Sequence, residues 1–255
     1  MRDIRIEARF HTFDEVAGNK DNVQMIKSIL SSGRFPMGML FTGNFGCGKT
    51  ALARLVAKTL LCENIEIGQS EPCCRCNSCL WFQRCTGQYG WAYEEVNCAK
   101  EQSHEFYNDT INDAIRRGAP ITEKYYIVLF DEFQRTTQPI RDKFLNALEN
   151  LSPSTRFLFT AGADFQKEAN PLEKIDDAFC DRVLTIHMQI PTKEEIVISL
   201  KRISNRLGLT IDESAYNLIT EYSRIPRQYL GLLNKASFIS NHISRDVLLA
   251  VLPKE

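Results

Sequence analysis

No stretch of this sequence approaches the roughly eighteen consecutive apolar residues that a membrane-spanning helix requires. The N-terminus, MRDIRIEARF, mixes charged and apolar residues where a secretory leader would keep them apart. These two gaps predict a chain without a membrane segment and, by default, a cytoplasmic address. Net charge is nearly missing too, at -1, so no global basic field advertises nucleic acid and any such contact must come from a local patch. Neither an internal repeat nor a low-complexity tract is present, which sets aside solenoids, propellers and long disordered arms.

What remains is an ordinary globular composition. With 255 residues, 44% apolar and 25% charged, the chain can bury a sizeable core as one large domain or as one plus a small one. Its most informative stretch is Gly43 to Thr50, GNFGCGKT, which fits G-x-x-x-x-G-K-[ST]. An apolar run, Met37 to Phe41, precedes it, and an amphipathic run, Ala51 to Leu61, follows. A buried strand turning into a helix is the setting that a phosphate cradle requires. Glycines 43, 46 and 48 let successive N–H groups and the helix's positive end face an anion. Lys49 supplies a point charge to the outer phosphates and Thr50 a hydroxyl to Mg²⁺. The stretch predicts a nucleoside triphosphate site.

Nine cysteines form an odd set. For a chain with a phosphate site and no leader, a reducing compartment is expected, where clustered cysteines are better explained by metal than by disulfides. Cys73, Cys76 and Cys79 make a tight C-x₂-C-x₂-C, and Cys62 lies eleven positions upstream. Ligand type and count suit a closed tetrahedral Zn²⁺ site that staples a polar excursion, about residues 62–85. Cys62 is the preferred fourth ligand, with Cys74 and Cys85 as competitors.

Downstream, a short strand (AYEEV), a helix presenting Phe106, Ile111 and Ile115 on one face, and then Tyr125 to Phe130 lead into Asp131-Glu132. Apolar residues without alternation indicate a strand covered on both sides, and its carboxyl end is where ligands bind in parallel sheets. Asp131 is expected to hold Mg²⁺ through water and Glu132 to polarise the attacking water. Further strands are expected at Arg156 to Thr160 and at Val183 to Met188, with residues 161–176 polar and irregular. Pro191 marks a boundary, because only helical patterns follow it. The expected architecture is α/β: a parallel-sheet domain over residues 1–190 and a small helical lid over 191–255.

Taken in order, the P-loop, cysteine cluster, DE strand, AFCDRV and helical appendage resemble the AAA+ subunits of sliding-clamp loaders, in particular the bacterial polymerase III gamma/tau group, over about residues 8 to 240. The segment TFDEVAGNKDNV is similar to that family's adenine side, which implies that Val16, Ala17 and Gly18 lie near the base, while Asn44, Phe45, Cys47 and Ala51 complete the phosphate loop. The stretch FLNALENLSPSTRFLF is similar to the family's LLKTLEEPP and its sensor strand. The resemblance implies that Arg182, in CDRV, acts on a neighbouring subunit's nucleotide, and that Arg227, in RIPRQYL, is the second sensor. It further implies ATP, Mg²⁺ and Zn²⁺ as ligands. The implied partners are other AAA+ subunits in a ring or spiral, a sliding clamp, and primer-template or duplex DNA.

Three departures from the family pattern are visible. The first polar sensor falls at Ala161 or Gly162, so hydrolysis is expected to be slow or Asp164 to substitute. Gln134 closes the box after the DE pair. The chain ends at Glu255, where the family continues into a collar domain, which suggests a fragment, or assembly through the ATPase faces alone or on another partner. Lys100, Arg116, Arg117 and Arg135 are candidate phosphate contacts near the sheet's functional edge. Two other readings accompany the replicative one: a DNA-associated regulator in transposition or defence, and a nucleotide-binding structural subunit with weak hydrolysis.

Overall fold

The computed structural model describes residues 3–101, 103–116, 118–121, 123–163 and 175–252. Five strands, β1 (Gly38–Asn44), β2 (Tyr93–Asn97), β3 (Tyr126–Asp131), β4 (Thr155–Ala163) and β5 (Leu184–Met188), form one sheet in the order β2-β3-β4-β1-β5, with every neighbouring pair parallel. Parallel pairs require crossovers. Among the described residues, the α-helices that precede or connect the strands are α1 (Ile4–Glu7), α2 (Lys20–Ser32), α3 (Lys49–Leu60), α4 (Asn77–Arg84), α5 (His104–Arg116), α6 (Gln138–Asn150) and α7 (Asp177–Cys180).

Both faces of the sheet are covered, which is why its central strands carry apolar residues without alternation. On one face Met39, Phe41, Leu129 and Leu158 pack with Ile26 of α2 and with Leu52 and Val56 of α3. On the other, Leu40, Val128, Phe130, Phe157 and Phe159 pack with Tyr107 of α5 and Phe144 of α6. Most of these phenylalanine pairs meet edge to face, Phe130 and Phe144 at 4.7 Å between ring centroids, while Phe130 and Phe159 stack, both arrangements that ring quadrupoles favour. Such a core holds the carboxyl ends of β1, β3 and β4 at fixed mutual positions.

After Pro191 the chain forms α8 (Lys193–Leu207), α9 (Glu213–Tyr222), α10 (Pro226–Ser237) and α11 (Arg245–Val251) around a third core that includes Ile196, Leu200, Ile219, Leu233 and Leu248. This part is not purely helical. Two-residue strands β6 (Thr210–Ile211) and β7 (His242–Ile243) pair in parallel, and two residues are too few to show an alternating pattern. Helix α1 joins the same core from the other end of the chain through Ile4 and Ala8, and the Ile4 N–H donates to Asn234 Oδ1 at 2.8 Å.

The excursion after α3 is less separate than its polar composition suggests. Cys76 caps α4, and Phe82 on that helix is buried in the sheet's core, 4.8 Å from the Tyr93 ring. Among the described residues no helix is long and apolar enough to cross a membrane.

Candidate functional site

The carboxyl ends of β1, β3 and β4 open onto a cleft of about 510 Å³. Beyond Asn44 the chain turns through Gly46 and Gly48, both in the left-handed region (φ +79° and +103°), and enters α3 at Lys49. Gly46 is needed for space as well as for φ. A Cβ there would lie 2.9 Å from Arg227 Cβ and from Ile225 Cγ2, because the start of α10 presses on the turn and the Arg227 N–H donates to the Gly46 carbonyl at 3.3 Å. The amino ends of α3 and α10 thus border the same cleft, and both present the positive end of a helix dipole to it.

Lys49 is only 7% exposed, and its Nζ donates to the carbonyls of Gly43 (3.0 Å) and Asn44 (2.6 Å). Burial pushes the pKa of this ammonium down, and the nearby charge of Arg227 acts in the same direction against Cys47 and Asp131. An anion entering the cleft would offset that cost of burial. Across the cleft, Asp131 Oδ1 accepts hydrogen bonds from Thr50 Oγ1 and from Thr160 Oγ1, each at 2.6 Å. Glu132 follows in a left-handed conformation, φ 59°, with its carboxylate 3.8 Å from Arg135 Nε and its N–H donating to Thr160 Oγ1 at 3.1 Å.

Val16, Ala17, Phe45, Gly46, Cys47, Gly48, Lys49, Thr50, Ala51, Asp131, Glu132 and Arg227 all line this one cleft, and Gly43 and Asn44 meet it through their carbonyls on Lys49. Gly18 does not line it. Gly18 faces α8 instead, where a Cβ would come within 2.8 Å of Glu195 Oε2. Arg182 is also away from the cleft, donating to Glu149 Oε1 at 2.8 Å and to the Ala178 carbonyl at 2.9 Å.

Ala161 is buried in the core on the far side of β4, so Gly162 is the cleft-facing sensor position, 3.4 Å in Cβ terms from Lys49 Nζ. Gln134 is turned inward. Lys100 follows β2 and Arg135 follows β3 at the sheet's carboxyl edge, both exposed. Arg116 corrects the expectation for the basic set. It ends α5 at the opposite, amino edge, where the Ala114 carbonyl accepts from Thr155 at the first position of β4, because a crossover helix runs antiparallel to its strands. Asp164 and Arg117 lie outside the described residues.

Among the cleft residues that belong to no motif are Thr160 and Arg54. Thr160 is recoverable from period-two alternation, which puts it on the same face as Gly162. Arg54, one turn after Thr50, also borders the cleft and pairs with Glu95 through Nε at 2.9 Å and through Nη2; its i+4 spacing from Thr50 is the available signal.

The cysteine cluster is a second site. The Sγ atoms of Cys62, Cys73, Cys76 and Cys79 all lie within 4.8 Å of one another, close to the ~3.8 Å edge of a tetrahedron with ~2.3 Å metal–sulfur bonds. Backbone N–H groups point at the sulfurs: Cys73 to Cys62 at 3.3 Å, Cys76 to Cys73 at 3.4 Å, and Cys79 to Cys76 at 3.4 Å. Burial raises the pKa of the Cys62 and Cys79 thiols. At Cys73 burial also pushes upward, but hydrogen bonds from the Arg75 backbone and the Asn64 side chain prevail and bring the thiol down to about 6. Cys74 lies against Lys58 Nζ (3.4 Å) and the His11 carbonyl (3.2 Å), and Cys85 is exposed beyond α4, so neither joins the four.

A family profile described as DNA polymerase III, delta subunit matches residues 18–168. The chain is 27% identical to the DNA polymerase III subunit gamma of Buchnera aphidicola subsp. Schizaphis graminum over 92% of its own length and 61% of that protein's. It is 25% identical to the replication factor C small subunit of Thermofilum pendens over 97% of itself and 67% of that protein. It therefore spans about three-fifths of the length of the gamma relative. Among solved structures, the Thermotoga maritima RuvB Holliday junction branch migration motor superposes with a TM-score of 0.66 at 15% identity, covering 96% of this chain and 72% of that one, a likeness of fold alone.

Proposed function

The chain belongs to the DNA polymerase III delta subunit family, and from that premise we propose that it is a clamp-loader-type AAA+ ATPase acting in DNA replication. One observation carries the reading. Lys49, Thr50, Asp131, Glu132 and Arg227, drawn from three separate parts of the sequence, converge on a single cleft.

In this reading the loop from Gly43 to Ala51 and Lys49 hold the phosphates of ATP, and Val16 and Ala17 flank the base, with Gly18 shaping that segment from behind. Thr50 and Asp131 offer the hard oxygen donors that suit Mg²⁺, and their 2.6 Å contact supports a shared small ion. The metal would supply neutralisation of phosphate charge. Glu132 accepts the proton of the attacking water, and Arg227 links phosphate occupancy to the helices after Pro191. Arg182, outside its own cleft, serves a neighbouring subunit's nucleotide as charge develops. The four clustered thiols suit Zn²⁺ in a structural role, tying the segment after α3 to α4. Neighbouring AAA+ subunits, a sliding clamp and primer-template DNA are the proposed partners, with Lys100 and Arg135 left as phosphate contacts.

Nucleotide binding and turnover test the reading. The protein is expected to bind ATP, Lys49→Ala to lose that binding, and Glu132→Gln to bind ATP while turning it over about 10² to 10⁴ times more slowly. ATP-dependent capture of a sliding clamp supports the replicative role. A protein that ignores ATP ends it. Gly162 favours a second reading, a nucleotide-operated structural subunit with slow hydrolysis. Equal turnover in the native protein and Glu132→Gln would select that second reading.

A further inference from the structure

The cleft-facing sensor position has no side chain, and its space is already filled. A Cβ on Gly162 would lie 2.6 Å from Phe45 Cε1, so the Phe45 ring stands where a polar group would have to grow. Two residues earlier, on the same face of β4, Thr160 is 1% exposed and hydrogen bonded in both directions. Its Oγ1 donates to Asp131 Oδ1 at 2.6 Å and accepts the Glu132 N–H at 3.1 Å. One hydroxyl therefore joins both acidic residues of the DE pair.

The geometry at Glu132 makes that link consequential. Its backbone sits at φ 59°, ψ 41°, a left-handed conformation that a residue with a Cβ adopts only when its surroundings hold it there. The Thr160 hydroxyl grips the N–H of this residue. It also shares Asp131 Oδ1 with Thr50, so three elements (α3, β3 and β4) meet at one carboxylate oxygen.

We infer that Thr160 is a positioning residue for hydrolysis, which sets Asp131 and Glu132 relative to each other in place of the orienting side chain that position 162 lacks. The inference rests on the reading of the cleft as an ATP site. Thr160 touches neither nucleotide nor water in this scheme and acts through the two carboxylates. Valine at 160 keeps the shape and removes the hydroxyl, whereas serine keeps the hydroxyl and removes the methyl group.

The test uses Thr160→Val and Thr160→Ser in the full chain, with turnover, ATP affinity with and without Mg²⁺, and the thermal midpoint as readouts. Thr160→Val is expected to lower turnover and Mg²⁺ affinity each by about ten- to a hundredfold, as for other groups that orient metal ligands. ATP affinity in the presence of EDTA is expected to stay within about twofold, since binding without metal does not use the pair. Thr160→Ser is expected to restore turnover. Thr160→Ala makes the same deletion should valine prevent folding. A hydroxyl-free variant with native turnover overturns the inference, and so does a serine variant as slow as valine, which would assign the effect to packing. If the native protein binds and hydrolyses ATP while Thr160→Val matches it, this inference alone fails. If the native protein binds no ATP, the reading of the cleft falls and this inference with it.

Discussion

The Arg182 guanidinium donates to the Glu149 carboxylate at 2.8 Å on the outer surface, with the two side chains 38% and 54% exposed. An ion pair that open to water contributes only about 0.2–1 kcal/mol, so little holds Arg182 against exchange for a phosphate on a neighbouring molecule. Arg182→Ala is expected to leave ATP affinity unchanged and the melting midpoint within about 4 °C. Turnover at high protein concentration should fall by about 10³ or more, the usual contribution of an arginine supplied in trans. Rates measured across a dilution series decide the matter. Per-subunit turnover should rise with concentration in the native protein and stay flat in the variant, the two meeting in dilute solution; equal rates for the two at high protein concentration would show that Arg182 completes no neighbour's site.

Metal removal has a thiol signature. Of the four clustered cysteines, Cys73 titrates at about 6, below the ordinary thiol value of 9.0, while burial keeps Cys79 protonated. In chelated protein at pH 7, iodoacetamide is therefore expected to label Cys73 ahead of the other three, and Zn²⁺ to protect all four. The sign for stability follows from the depressed value. The Cys73 contribution to the metal-free fold is complete above about 9 and disappears as pH falls through about 6. Peptide mapping by mass spectrometry reads the labelling order, and Cys79 reacting first would contradict the hydrogen-bond pattern around Cys73.

How much of this was legible beforehand differs residue by residue. Lys49, Thr50, Asp131 and Glu132 could be found because each sits in a local pattern whose chemistry dictates its neighbours. Cys62 could only be preferred over Cys74 and Cys85, since a fourth ligand at long range depends on how the excursion folds back on α3. Thr160 carries no motif. Its importance comes from lying opposite the end of β3, and strand order and register are properties of the assembled sheet. Arg116 was misplaced for a related reason: a helix end gives no sign of which sheet edge it reaches until the crossover direction is considered. Helix α1 is four residues long, too short to show an apolar face, so its membership of the third core was hidden.

Gln134 is 8% exposed, and neither of its amide atoms has a hydrogen-bond partner among the described residues. An unsatisfied buried polar group costs about 1–3 kcal/mol, and an apolar replacement of similar shape avoids that cost. Gln134→Met is expected to raise stability by about 1 kcal/mol, or roughly 2–4 °C in the melting midpoint for a chain of this size. Gln134 does not line the cleft, so ATP affinity should not change. A lower midpoint in the variant would mean that the amide supports the fold.

Phe45 and Gly162 form an interlocked pair whose coupling can be measured. The Phe45 ring approaches to 2.6 Å of where a Gly162 Cβ would stand, and Lys49 Nζ lies 5.8 Å from the centre of the same ring. Gly162→Asn alone must displace the ring, and overpacking of this kind costs about 1–3 kcal/mol. Phe45→Ala alone empties the space and loosens the wall beside Lys49. Combined, the two changes relieve the clash, so the double variant is expected to be more stable than the sum of the single effects by about 0.5–3 kcal/mol, the range seen for residues in contact. Chemical denaturation of all four proteins closes the cycle. Strict additivity would show that the ring and the glycine are independent. A positive coupling together with faster turnover in the double variant than in Phe45→Ala would show that an amide restored at position 162 can act on the nucleotide once the ring is gone.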